Sequence, residues 1–110
     1  MRSLDYRIGM EYLGRGEWHT AGSSLFHASR VEDLPPEETA ELADASVVCF
    51  AMYRRGTTMQ KIWDDQVRNF FLEHRKPHLS QRYDELVSDP AALDAAKARI
   101  YALFKITEKR

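Results

Sequence analysis

Residues 9–28 read Gly9-Met10-Glu11-Tyr12-Leu13-Gly14-Arg15-Gly16-Glu17-Trp18-His19-Thr20-Ala21-Gly22-Ser23-Ser24-Leu25-Phe26-His27-Ala28. Gly9 is followed three residues later by Tyr12, then come Gly16, Trp18, Ala21, Leu25 and Ala28. Positions three and four apart share one face of a helix. The stretch therefore spells two short amphipathic helices. Gly16 makes the tight turn between them, because a residue without a Cβ enters the left-handed region freely. Small residues stand where the two helices would touch, with large ones wedged beside them.

The same periodicity extends outward in both directions. Helix one is expected over about Leu4 to Leu13, with Leu4, Ile8, Tyr12 and Leu13 on one face and Gly14 and Gly16 ending it. Helix two runs from Glu17 to Val31, with Trp18, Ala21, Leu25, Ala28 and Val31 as its stripe and Phe26 off it. Leu34-Pro35-Pro36 is a break, since a residue before proline is pushed out of helical geometry. Pro36 can open helix three, with Glu37 and Glu38 complementing the positive helix end. That helix, to about Arg54, is the most apolar stretch and is expected at the centre. Thr57 or Thr58 can cap helix four, Met59 to His74, whose stripe is Met59, Trp63, Val67 and Phe70. Ile62 and Phe71 widen it, and Lys76-Pro77 stops it. A shorter helix over Ser80–Val87 follows. Asp89-Pro90 is a cap and first-turn proline for a last helix reaching about Ile106. Thr107-Glu108-Lys109-Arg110 is expected to fray. No alternating β-branched run and no Asn-Gly or Asp-Gly hairpin turn occurs.

The expected architecture is a single all-α domain over residues 1–110, a compact bundle of five or six helices opened by the N-terminal hairpin. At 110 residues a chain can bury one core without staples. The net charge of −1 supplies no global field to draw in nucleic acid or an anionic membrane. Residues 1–55 hold 6 basic and 9 acidic side chains, and residues 56–110 hold 10 and 8, an asymmetry too small to name a partner. Cys49 is the single cysteine, so neither an intrachain disulfide nor a thiolate zinc site can be built, and a reducing cytoplasm is the expected compartment. Arg2, Asp5 and Arg7 interrupt any leader-like apolar run. No stretch approaches the roughly 20 apolar residues that span a bilayer.

The hairpin from Gly9 to Ala28, with Pro35 shortly after, resembles a tetratricopeptide repeat. In that family small residues occupy the places of Gly9, Ala21 and Ala28, an aromatic that of Tyr12, a turn glycine that of Gly16, and large side chains those of Trp18 and Leu25. The resemblance covers about a third of the chain. In a second unit aligned on Gly56, Lys61 falls where a small residue belongs, which favours a compact bundle over an open solenoid. The segment Arg68-Asn69-Phe70-Phe71-Leu72-Glu73-His74, with Arg82-Tyr83-Asp84 and an alanine-rich last helix, resembles the HEPN group of helical domains. In its ribonucleases an Arg and a His act on the scissile phosphate, usually at a dimer interface, so this resemblance would make Arg68 and His74 catalytic.

On helical geometry alone Arg68 and His74 lie about 240° apart and share no face unless the helix ends first. His19 and His27, eight residues apart, cannot share an ion, and the His-Glu-x-x-His signature is missing. No metal and no cofactor is expected. Asp64-Asp65 and Glu37-Glu38 diverge by about 100° within each pair, so both read as solvated surface. Cys49 in the most apolar helix reads as an inert buried thiol. Lys61, Arg68, Arg75, Lys76, His78 and Arg82 are basic but interleaved with acids. If Phe26 or Phe71 is exposed, it becomes a partner anchor.

The expected function is a non-enzymatic protein–protein interaction module, such as an adaptor, a chaperone or a subunit of a complex. It would bind another protein, or a second copy, in a groove between helices one and three or on an exposed aromatic. Tyr12, Trp18, His19, Phe26 and His27 are the expected contacts, and no membrane is involved. The alternative is a HEPN-like RNA-binding or RNA-cleaving domain using Arg68 and His74.

Overall fold

The structure is a computed structural model that describes residues 2–31 and 33–108. It contains six α-helices: α1 (Leu4–Arg15), α2 (Trp18–Val31), α3 (Pro36–Arg55), α4 (Gln60–Glu73), α5 (Pro77–Val87) and α6 (Pro90–Leu103). Among the described residues there is no strand. The chain is all-α, as its periodicity requires. Lys109 and Arg110, half of the segment expected to fray, lie outside the described residues.

Each helix boundary has a local cause. Ser3 caps α1 by accepting from the Tyr6 N–H, and Asp89 caps α6 by accepting from the Ala92 N–H. Gly16, at φ 70°, closes α1, its N–H donating to the Leu13 carbonyl while the Glu17 N–H reaches Tyr12. Gly14 does not end α1. It lies inside the helix and is buried beneath the segment around Ile106 and Thr107. The turn after α4 has the same double hydrogen bond with a different residue at its left-handed position. Arg75, at φ 58°, donates to Leu72, and Lys76 donates to Phe71. Lys105, at φ 56°, repeats it after α6, donating to Ala102, with Ile106 donating to Tyr101. These caps end α4 at Glu73 and α6 at Leu103, before the apolar pattern stops. Pro77 opens α5 instead of merely stopping α4, so α5 starts three residues earlier than Ser80. Neither threonine caps α4. Met59 stands at that position, and its N–H donates to the Thr57 hydroxyl.

α3 packs against α2, α4, α5 and α6 and occupies the centre. From Ala45 to Ala51 every residue is buried, because the helix has neighbours on all sides. α1 packs on α2, with Gly9 against Leu25: a Cβ at Gly9 would lie 2.6 Å from Leu25 Cδ2. Gly22 lets α3 approach as closely, and the Ser46 hydroxyl donates to the Gly22 carbonyl at 2.7 Å. The radius of gyration is 12.9 Å. One closed domain of this length is expected near 13 Å, so the helices surround one core and do not extend as a solenoid.

The apolar stripes are rotated from their expected positions at the chain's edges. Leu4 and Val31 are exposed, and in α4 the core side is Val67 and Phe71, not Met59. Asp64 is the largest departure. Expected on the surface, it is buried with 7% exposure. It accepts from Arg54 Nε at 2.8 Å and from the Tyr83 hydroxyl at 2.6 Å, joining α3, α4 and α5. Burial, followed by the bond to Asp64, pushes the Tyr83 pKa well up.

Candidate functional site

Because α2 and α4 both lean on α3, a valley opens between them. Its floor is Phe50 of α3. His19 and Ser23 of α2 form one wall, and Trp63, Gln66 and Phe70 of α4 form the other. The pocket encloses about 190 Å³, and among the described residues no charged side chain lines it.

Aromatic contacts build this valley. The His19 ring lies 5.3 Å from both Tyr53 and Trp63, and Tyr53 and Trp63 are 4.5 Å apart. The Trp63 indole N–H donates to the Phe50 carbonyl at 3.0 Å, which holds the ring upright in the wall. Phe50 meets Trp63 and Phe70 edge to face, at 5.7 and 5.9 Å. Offset and edge-to-face rings are attractive, so the pocket is preformed by its own packing. Tyr53, which touches both wall rings, is 36% exposed, and at the start of α4 Met59 and Ile62 are exposed at 58% and 51%. Met59, four residues before Trp63, falls on the same side of the helix, while Ile62 diverges from Trp63 by about 100°.

No family model, no curated protein and no solved structure matches the chain. The site is therefore defined by its geometry.

The structure distributes the five expected contact residues over different surroundings. His19 is exposed and belongs to the valley. His27 is exposed further along α2, 6.4 Å from Phe26. Tyr12 is half-buried under the Arg15 guanidinium, 5.1 Å away. Trp18 is half-buried against α6, 6.4 Å from Tyr101, with the Lys97 ammonium 5.5 Å above it. Phe26 is not an exposed anchor. It is fully buried, held by Phe70, Phe71 and His74 at 4.9, 5.7 and 5.1 Å. Phe71 is also fully buried. Both rings turn inward because α4 and α2 close over them from opposite sides.

The expected groove between α1 and α3 is largely filled by the chain itself. The Tyr101 hydroxyl donates to the Leu13 carbonyl at 2.6 Å, and the Thr107 carbonyl lies 3.4 Å from where a Gly14 Cβ would be. What remains there is a cleft of about 250 Å³, walled by Tyr6, Glu38 and Glu41 and closed by Leu103 and Phe104 of the C-terminal end. Burial, then the Glu108 carboxylate, pushes the Tyr101 pKa up to about 12.

Arg68 and His74 go to different neighbours. Arg68 donates to Asp84 of α5 at 2.8 Å and to Asp65 at 3.3 Å. The Asp84 bond leads the rise in its pKa. His74 turns toward α2, its ring 4.5 Å from Phe70 and 5.1 Å from Phe26. Its Nδ1 sits 2.8 Å from the Phe70 carbonyl. A carbonyl only accepts, so Nδ1 carries the proton and Nε2 is left as the free nitrogen. The two side chains do not converge within one chain. Among the described residues no group of three or more His, Cys, Asp or Glu side chains is placed to hold a metal ion. No helix among the described residues is long and apolar enough to cross a membrane. Cys49 is buried, and burial raises its thiol pKa far above the ordinary value.

Sequence reasoning reached His19 but missed Tyr53, Met59, Ile62 and Trp63 as one surface. A signal was present. Met59 and Ile62 both fall at the start of α4, and one helical turn cannot bury large side chains on every side.

Proposed function

We propose that the protein is a non-enzymatic binding module that takes an amphipathic helix of a partner protein in the valley between α2 and α4. The partner helix inserts one large apolar side chain over Phe50 and lays its neighbouring apolar residues on Met59 and Ile62. A single observation carries this: an uncharged, aromatic-walled pocket, one wall of which is a helix whose first residues expose large apolar side chains. Desolvated aromatic pockets are where interface energy concentrates.

Three features favour a helix as the occupant. The lined stretch of α4 runs from Trp63 to Phe70, about 10 Å, which matches roughly two turns of a partner helix. A helix presents its anchors at i, i+3 and i+4, which suits a pocket flanked by two apolar contacts. Among the described residues there is no sheet edge on which an extended peptide could add a strand. His19, Ser23 and Gln66 supply polar groups at the rim, which fix orientation.

The test is selection from a displayed library of 14-residue helical peptides with randomised faces, followed by affinity measurement on the full chain. Selected peptides should share an apolar stripe with one large side chain. Ile62→Glu should weaken them roughly tenfold or more, while Leu4→Glu, on the distant α1, leaves binding unchanged. Equal loss with both variants, or self-association of the wild-type chain abolished by Ile62→Glu, would overturn the assignment of a partner helix.

A further inference from the structure

At the opposite end of α2 lies a second cleft, of about 650 Å³, bounded by the end of α2, the first half of α3 and the α4–α5 turn. Its polar wall is Arg30, His74, Lys76 and His78, and its apolar side includes Leu34, Ala43 and Leu79. Among the described residues no carboxylate lines it. The clefts beside α1 differ in this respect, one carrying Glu38 and Glu41 and the other Glu11.

The cations here also differ from those that brace the helices. Arg54, Arg55, Arg68 and Arg82 each hold a carboxylate on a neighbouring helix. Among the described residues, Arg30, Arg75 and Lys76 have no carboxylate within 4.0 Å. The Arg30 guanidinium rests on the Phe26 ring, 5.8 Å from its centre, which positions it without neutralising it. The turn that presents Lys76 passes through Arg75 at φ 58°, a left-handed conformation that non-glycine residues seldom adopt. Residues held in such a region are a reason to look for a site beside them. α5 opens onto the same cleft, with no acidic side chain in its first turn.

We propose that this cleft binds a small organic phosphate, a phosphate monoester carried on a flat or apolar body. Arg30 and Lys76 supply two permanent positive charges. A phosphate monoester carries about −1.5 to −2 at neutral pH and matches them, whereas a carboxylate supplies only one charge. The guanidinium of Arg30 can bond two phosphate oxygens at once, and the Lys76 ammonium acts as a point charge beside it. His74 and His78 add imidazole nitrogens at the rim. The apolar body lies on Leu34, Ala43 and Leu79. A volume of about 650 Å³ suits a ligand of this size, since small-molecule pockets run from about 300 to 1,000 Å³. The site is independent of the valley between α2 and α4, which uses other side chains.

Titration of the full chain by calorimetry and amide NMR tests it, with inorganic phosphate, phenyl phosphate and benzoate as probes. Phenyl phosphate should bind with shifts at Arg30, Thr39 and Lys76, roughly fivefold or more tighter than inorganic phosphate because its ring reaches the apolar side. Benzoate, with the same ring and half the charge, should bind roughly tenfold weaker. Arg30→Gln with Lys76→Gln should abolish the binding, while Lys61→Gln, an exposed cation on α4, leaves it intact. Both altered positions are exposed, so an unchanged helical signal and melting temperature are expected. Benzoate binding as well as phenyl phosphate, or binding that survives the double substitution, would overturn the proposal. So would the lack of any binding at millimolar probe. A single-stranded RNA oligonucleotide that binds far tighter than phenyl phosphate, with a steep salt dependence, would replace it with a polynucleotide surface.

Discussion

The ring of Phe50 lies so close on Gly22 that a Cβ at that position would sit 2.6 Å from Cε1 and 2.8 Å from Cδ1. The Cys49 Cβ would be 3.2 Å away on the other side. Phe50 cannot retreat, because Phe70, Phe71 and Trp63 pack around it at 5.9, 5.8 and 5.7 Å. The contact therefore sets how near α2 and α3 come, and with it the floor of the valley.

Gly22→Ala should destabilise the protein even though alanine is the better helix former. Overpacking a rigid core costs about 1–3 kcal/mol, against about 1 kcal/mol gained in helix propensity. Gly14→Ala should do the opposite. Its Cβ would meet only the Thr107 carbonyl at 3.4 Å and Ile106 Cγ2 at 3.7 Å, ordinary contacts. A gain of about 0.5–1 kcal/mol is expected. Urea unfolding of the two variants beside the wild type reads both signs.

Asp64→Ala should be among the most damaging single changes on α4. It strips the partner from the Arg54 guanidinium and the Tyr83 hydroxyl together. Arg54 is partly exposed and recovers some solvation, so a loss of about 2–4 kcal/mol is expected. Asp64→Asn keeps one acceptor oxygen and should cost less. Equal losses in the two unfolding midpoints would mean that the carboxylate's charge carries the whole effect.

Arg75→Gly should stabilise by about 1 kcal/mol, since glycine enters the left-handed region without the penalty that arginine bears. Gly16→Ala, at φ 70°, is the mirror experiment and should lose about as much. Thermal melting checks both. If the phosphate cleft is real, Arg75→Gly should leave phenyl phosphate affinity close to wild type, because Arg30 and Lys76 hold the charge.

Tyr101 makes stability fall at high pH. Its pKa is raised from 10.0 to about 12 in the folded chain, so between these values the unfolded chain has lost a proton that the folded chain keeps. Stability is thus intact below pH 10 and declines as pH rises toward 12. Tyr101→Phe removes this contribution, so its urea midpoint should decline less steeply between pH 9 and 11. Some slope should remain, because the Tyr83 pKa is raised as well. At neutral pH the variant should be less stable than wild type, having lost the bond to the Leu13 carbonyl.

The helices, and the starts of α1, α3 and α6, were readable in the residues because each depends on neighbours a few positions away. The Asp89 side chain and the backbones of Pro36, Pro90 and Gly16 bound the elements that periodicity marks out. The central place of α3 followed from the apolar run in its second half, since only a helix surrounded by others can bury every residue from Ala45 to Ala51. Which faces meet was another matter. Phe26 lay off the stripe of α2 and is nonetheless fully buried, because α4 arrives on that side. Asp64 reads as solvent-facing until Arg54 and Tyr83, on two other helices, close over it. The groove expected between α1 and α3 is narrowed to a cleft by Leu103, Phe104 and the segment after α6, distant in sequence. Local spacing decides that a segment is helical and where it stops. The valley over Phe50 and the cleft beside Arg30 exist only because three separate helices settle against one another, and that depends on shape complementarity between residues that no short-range pattern connects.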